Sequence, residues 1–430
     1  MFESVKNIYK TMLRNEIANR FAKVFSVDVL VKGSTFLLLP VYLHLMTQEE
    51  VGTFNYIFVF IQTISVLLIF GLYQAQSKLY HDYKGIEREQ LLFSINLVLF
   101  AFLAVILLPI YVFGFDFQLM DFVFGNSINY ELFRWPLLLA FITSVGSYLL
   151  FNYLLTSENI RKVQIYNLLK MIISNGIVIV ILYVSKSDKV ITRLIVYYLC
   201  EIMLWICFLF SYVKQFRFTF DWEKIKRILS ICIPTFLLSL ISTILGFSDK
   251  YFVRQKTDMS IMAVYTVGIT ISSVCYLVIM SFQNVWMPIF LKEKNVEENF
   301  RKTGKLVKII IGSFIGIAVI MIIGVKIALM FNIIPTSYGE VLKILPFLFI
   351  AQIISSVNTL YGNYFLYFNR MTLGSLVGGS VYIVSFFINF WLIPRYGVTG
   401  AVIAILLNNI VLLTIVYSVV KHLYRNNINS

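Results

Sequence analysis

The 430-residue chain is 59% hydrophobic and only 13% charged, with a formal net charge of +14. A soluble domain carries about 25% charged residues, so the composition excludes one and calls for a chain whose bulk lies in a bilayer. The surplus lysines and arginines fall in alternate short intervals between apolar runs, the pattern of cytoplasmic loops rather than of a nucleic-acid stripe, so no nucleic acid is expected as a partner.

In chain order, Phe2, Val5, Tyr9, Met12, Ile17 and Phe21 alternate with Lys6, Lys10, Arg14 and Arg20. That spacing predicts a helix lying in the membrane interface, and it lacks the short apolar core of a signal peptide. Charge-poor runs of about 20 residues, enough to cross a bilayer, then predict twelve spans. They fall near 27–46, 52–80, 91–115, 132–156, 163–184, 190–213, 228–253, 261–290, 305–331, 341–368, 373–393 and 398–420. The expected fold is an all-α integral membrane protein of twelve transmembrane helices. The intervals on one side hold 21 Lys plus Arg and those on the other 5, which puts both termini in the cytoplasm. Interval 116–131, with Asp116, Asp121 and Glu131 and no base, is expected to be an external loop.

A shift of about 210 residues lays span one on span seven and Pro136 on Pro346. The expected organisation is an N-terminal lobe, 1–213, a cytoplasmic link, 214–227, and a C-terminal lobe, 228–430. An even number of spans per lobe makes the repeats parallel, related by a pseudo-two-fold along the membrane normal, with a substrate path between them.

Local wording adds a family. Leu37-Leu38-Leu39-Pro40, followed by His44-Leu45-Met46-Thr47-Gln48-Glu49-Glu50-Val51-Gly52-Thr53-Phe54, resembles the first hairpin of the Wzx-type oligosaccharide flippases. These form part of the polysaccharide transporter branch of the multidrug/oligosaccharidyl-lipid/polysaccharide (MOP) exporter superfamily. Phe70-Gly71-Leu72-Tyr73-Gln74-Ala75-Gln76 is similar to that family's Gly-Leu-polar turn. The stretch from Pro234 through Asp249-Lys250 to Tyr265 is similar to its seventh-span pattern, and Ile393-Pro394-Arg395-Tyr396-Gly397-Val398-Thr399-Gly400-Ala401 to its link before span twelve. The resemblance implies a flippase of the bacterial cytoplasmic (inner) membrane. Its substrate would be an undecaprenyl-diphosphate-linked oligosaccharide for O-antigen, lipopolysaccharide or other surface polysaccharide, moved outward by alternating access. Membrane lipid, a polysaccharide polymerase and a chain-length regulator are the implied partners.

Charges inside spans cost about 2.5–3.5 kcal/mol each on the insertion scale, so each requires a partner, water or a route to the interface. Lys32 either pairs with Asp28 one helical turn away or faces the cavity to hold a diphosphate. Lys170 has no acid within a turn of its own helix, and either lines the cavity or reaches back to the interface. Glu201, near the middle of span six, either pairs with Lys32 or Lys170 or binds a coupling Na+ or H+. Lys250 and Arg254 near the outer end of span seven are further candidate cations for the substrate. Asp249, adjacent to Lys250, is expected to point about 100° away from it. Gln62, Asn284, Asn358 and Asn408 are candidate sugar contacts, with holding helices together as the alternative role.

Nothing speaks for an enzyme or a bound cofactor. Cys200, Cys207, Cys232 and Cys275 lie in apolar runs at no metal-ligand spacing, as buried thiols do, and the sequence has no phosphate-cradling glycine loop followed by Lys-Ser/Thr. The rival functions are an ion-coupled multidrug or small-molecule antiporter on the same scaffold and a membrane-embedded polysaccharide polymerase or ligase.

Overall fold

The computed structural model describes residues 33–34, 36–125 and 128–428. Every regular element among them is helical. In order they are α1 (Phe36–Leu45), α2 (Gln48–Leu68), α3 (Leu72–Leu79), α4 (Gly85–Val112), α5 (Phe115–Phe124), α6 (Tyr130–Thr156) and α7 (Ile160–Val184). There follow α8 (Lys189–Val213), α9 (Trp222–Lys256), α10 (Met259–Ser272), α11 (Val274–Lys292), α12 (Val296–Met330) and α13 (Val341–Tyr367). The last continuous stretch, Met371–Ile428, is two helices joined at Gly397, here α14 (371–396) and α15 (398–428). Among the described residues ten helices are long and apolar enough to cross a membrane. The chain is a multi-pass, all-helical membrane protein.

The starts of these helices are written in polar residues. Asn129 accepts a hydrogen bond from the Glu131 amide at α6, and Asp188 accepts from Val190 and Ile191 at α8. Asn295 accepts from the Glu298 amide at α12. Each satisfies amides that the first helical turn leaves without partners.

The chain divides into two compact units. Of the described residues, the first comprises 33–34, 36–38 and Phe58–Leu240, and the second Leu39–Ile57 with 241–428. In the first, Leu92, Leu150, Leu154, Val163, Leu204 and Tyr212 form a buried core. Beside it Gln76 is fully buried and bonds the Tyr212 hydroxyl at 3.0 Å, while Asn152 donates to Gln76 at 2.6 Å and to the Tyr73 carbonyl at 3.1 Å. This network fixes α3, the helix that follows the Gly-Leu-polar turn. In the second unit α10 is buried on nearly every side. Asn55 of α2 donates to Thr266 at 2.9 Å, and Gly52 brings the α2 backbone against the Met259 carbonyl, where an added Cβ would stand only 1.8 Å from the oxygen.

Two predicted elements are corrected. Span two, predicted unbroken over 52–80, is interrupted between α2 and α3, where Phe70 (φ 53) and Gly71 (φ 70) are both left-handed. Span eight, predicted over 261–290, runs on through α10 and α11, because Ser273 between them keeps helical φ and ψ, its amide donates to the Ile269 carbonyl at 3.0 Å and its carbonyl accepts from Leu277 at 3.1 Å. The predicted external loop 116–131 is largely the helix α5. Asp116 on it is fully buried, accepting from the Tyr130 hydroxyl at 2.8 Å and from Arg134 Nε at 2.6 Å. An acid that reads as loop solvation thus closes a charge pair whose guanidinium also sits 4.6 Å from the Phe117 ring. The link 214–227 is helical from Trp222 onward. Three of the cysteines are buried, whereas Cys207 is exposed.

The helix starts repeat along the chain. Those of α2, α4, α6 and α7 recur 211 residues later as α10, α12, α13 and α14, and that of α8 recurs 209 later as α15.

Candidate functional site

Within the first unit five helical segments surround a cavity of about 720 Å³. Helix α2 contributes Phe58, Gln62, Ser65 and Val66, and α3 contributes Tyr73. Helix α6 contributes Ser144, Ser147, Tyr148 and Phe151, α7 Tyr166, Asn167 and Lys170, and α8 Tyr197, Tyr198 and Glu201. On each long helix these positions are neighbours or lie three or four apart, the spacing of one stripe on one face. Close packing on α6 fixes this geometry. At Gly146 an added Cβ would come within 2.6 Å of the Trp205 indole, so the ring of α8 lies directly on the α6 backbone.

Seven aromatic rings line the space, several held in edge contacts. Phe58 meets Tyr197 with centroids 5.5 Å apart, and Tyr73 meets Tyr148 at 5.6 Å. The one ion pair in the lining joins Lys170 of α7 to Glu201 of α8. Glu201 is 4% exposed, whereas the Lys170 side chain keeps about a third of its surface open at 34%. The hydroxyl oxygens of Ser65 and Ser147 are buried without a hydrogen-bond partner among the described residues, a cost of about 1–3 kcal/mol each unless water or a ligand meets them. The cavity therefore combines stacking surfaces, unsatisfied hydroxyls and a charge pair that leaves no net charge.

Of the residues singled out in the sequence, Lys170, Glu201 and Gln62 come together here. Lys32 and Asp28 lie outside the described residues, as does the side chain of Asn284. The others belong to the second unit. The expected divergence of Asp249 and Lys250 is corrected, because Lys250 Nζ reaches Asp249 Oδ2 at 2.9 Å. Four methylenes let a lysine head swing back across the angle that separates neighbouring Cβ atoms. The same oxygen accepts from the Tyr265 hydroxyl at 2.7 Å, Asp249 Oδ1 has no hydrogen-bond partner among the described residues, and neighbouring Ser248 accepts from Asn389 at 2.9 Å. Arg254 is half-buried near the end of α9. Asn358 donates to the Asn409 carbonyl at 3.1 Å, and Asn408 Oδ1 has no hydrogen-bond partner among the described residues.

The tyrosine lining escaped the sequence analysis. Its signal was present as aromatic and hydroxyl residues at three-and-four spacing on spans four to six, but such a stripe is ordinarily core.

Comparison with known proteins supplies the remaining observations. Residues 19–294 match the profile of the polysaccharide biosynthesis protein family. No match was found among curated protein sequences. Among solved structures, the chain is similar to the lipid II flippase MurJ in an inward closed conformation, with TM-score 0.71 and 18% identity over 91% of this chain and 87% of that one. It is similar to an inward-facing multidrug resistance MATE family transporter of the MOP superfamily, with TM-score 0.70 and 14% identity over 93% and 98%. A MOP superfamily transporter from Pyrococcus furiosus, noted for a binding pocket of reverse polarity, aligns with TM-score 0.64 and 15% identity over 94% and 95%. At these identities the likeness establishes the MOP-superfamily fold.

Proposed function

The chain belongs to the polysaccharide biosynthesis protein family, and from that premise we propose that it is a flippase for lipid-linked oligosaccharide. The substrate is an undecaprenyl-diphosphate-linked glycan, carried from the inner to the outer leaflet of a bacterial inner membrane. Twelve spans form two six-span lobes, 1–213 and 228–430, joined by the cytoplasmic link 214–227 and working by alternating access. The repeat of helix starts at a stride of 211 residues supports that organisation.

The observation that carries the proposal is the aromatic cavity with its closed Lys170–Glu201 pair. Tyrosine and phenylalanine faces offer stacking surfaces for sugar rings, and the Gln62 amide and the free serine hydroxyls meet sugar hydroxyls. The ion pair keeps the resting cavity neutral. A phosphate competes with Glu201 for the Lys170 ammonium, and a proton taken up by Glu201 releases the lysine to it. Lys32, Lys250 and Arg254 are the other cations assigned to the diphosphate. Two phosphate charges leaving an inside-negative compartment gain about 2.3 kcal/mol each per 100 mV.

The test is deletion in the native host, followed by analysis of lipid-linked intermediates. The expected result is loss of surface polysaccharide with its lipid-linked precursor trapped on the cytoplasmic leaflet. Undiminished polysaccharide and no trapped precursor, in a host lacking any second flippase, would overturn the assignment. The small-molecule antiporter is separated by the same strain, since it predicts drug sensitivity with normal polysaccharide.

A further inference from the structure

We propose that a groove of about 390 Å³ in the second unit, walled by α13, α14 and α15, binds a neutral sugar ring carried on a lipid. No charged side chain lines it. Asn358 is 7% exposed and donates one of its two amide hydrogens to the Asn409 carbonyl, while its Oδ1 accepts from nothing among the described residues. The hydroxyls of Thr359 and Ser375 donate to carbonyls of their own helices, at 3.0 and 3.1 Å. Their donors are therefore committed and their oxygens remain as acceptors. A wall of neutral hydroxyl and amide groups without a free cation gives phosphate or carboxylate no counter-charge and favours an uncharged ligand that brings donors to these acceptors. Sugar hydroxyls do so without adding charge.

Two further features set shape and source. Gly362 on α13 and Gly378 on α14 have nothing within 4 Å of where a Cβ would stand, so their missing side chains are what opens the groove. The Phe365 ring lies against Gly374, 3.0 Å from its Cβ position, and gives the groove a fixed apolar face for the C–H side of a sugar. In its lining Met371 is 56% exposed and Val377, Leu412 and Val416 add further apolar surface, a border suited to an alkyl chain rather than to a free sugar in water. Taking the ligand as a lipid-borne glycan rests on the proposed transport substrate, and because its test reads binding alone the groove can fail while that assignment stands.

The full chain, held in tetraethylene glycol monooctyl ether micelles, is titrated with dodecyl maltoside, and bound adducts are read by native mass spectrometry together with the shift in melting temperature. Wild type is expected to retain the glycoside. Gly378→Leu and Gly362→Leu, which fill the groove from opposite walls, should weaken retention by about tenfold or more, the loss of one good contact set, while Gly378→Ala stays near wild type. Ligand-free melting temperatures of the leucine variants near wild type tie the loss to the groove. Equal retention by both leucine variants, or equal binding of dodecyl phosphocholine by wild type, would refute the site. Maltose binding as tightly as dodecyl maltoside would refute the lipid-borne source.

Discussion

Lys170 and Glu201 face each other across α7 and α8, and the acid is the more deeply buried partner. Coulomb attraction in such a low-dielectric site offsets desolvation only while both partners are present.

Lys170→Gln therefore strands a buried carboxylate. Removing one member of a buried pair costs about 3–5 kcal/mol, and with the lysine a third exposed the loss is discounted to about 2 kcal/mol. The double variant Lys170→Gln/Glu201→Gln is expected to regain most of it, because two amides need no counter-charge. Thermal unfolding of the purified proteins checks this, and a single variant as stable as wild type refutes the pairing.

Gly52→Ala tests the α2–α10 contact. The new methyl would collide with the Met259 carbonyl, and overpacking of this kind costs about 3 kcal/mol. Gly316→Ala on α12, with open space at its Cβ position, is the control and should be neutral or up to about 1 kcal/mol stabilising from helix propensity. Equal melting temperatures for the two variants would contradict the close approach.

Tyr212→Phe removes a hydroxyl that accepts from Gln76 at 3.0 Å and from Asn96 at 2.9 Å. Two donors lose their acceptor together, which is expected to cost about 2 kcal/mol. Since the network holds α3 and the Tyr73 carbonyl, proteolysis near 70–80 should accelerate in the variant, and an unchanged cleavage pattern would detach α3 from the network.

Acid separates the wild type from Glu293→Gln. The Lys302 ammonium, donating to Glu293 at 2.5 Å, and the Asn295 amide hold the Glu293 carboxyl below its ordinary range. A folded-state value below the unfolded one means that the contribution to stability is complete above the ordinary glutamate range and is lost as pH falls through the folded value. The stability difference between the two proteins should be constant near neutrality and shrink only in acid below pH about 4.3. A difference that disappears already between pH 7 and 5 would show that another group is responsible.

Much of this architecture is written in the sequence. The apolar runs and the 210-residue shift are close to the helix limits and to the 211-residue stride, because bilayer thickness dictates length and length dictates register. Gly52, Gly71 and Gly397 appear in family-like wording for a physical reason, since each sits at a close approach or a left-handed turn. The cavity was less legible. When a span is apolar on every side, composition does not reveal which stripe faces inward, so the stripe carrying Tyr148, Tyr166 and Tyr198 did not stand out from the rest of its spans. Asp116 was misjudged because loop-like polarity and a buried ion pair are compositionally alike, and only the meeting with Arg134 distinguishes them.

The joint between α14 and α15 has a practical corollary. Gly397, at φ 56 and ψ −133, doubles the chain back so sharply that a Cβ on Gly400 would lie 2.4 Å from the Leu392 carbonyl oxygen. A straight helix would separate those residues by about 12 Å. An epitope or protease site inserted there has no slack to occupy and would pry the hairpin apart. The exposed linker between α7 and α8 is the better place, and a tag inserted between Ser185 and Lys186, ahead of the Asp188 cap of α8, reports which side of the membrane it faces while leaving the bundle whole.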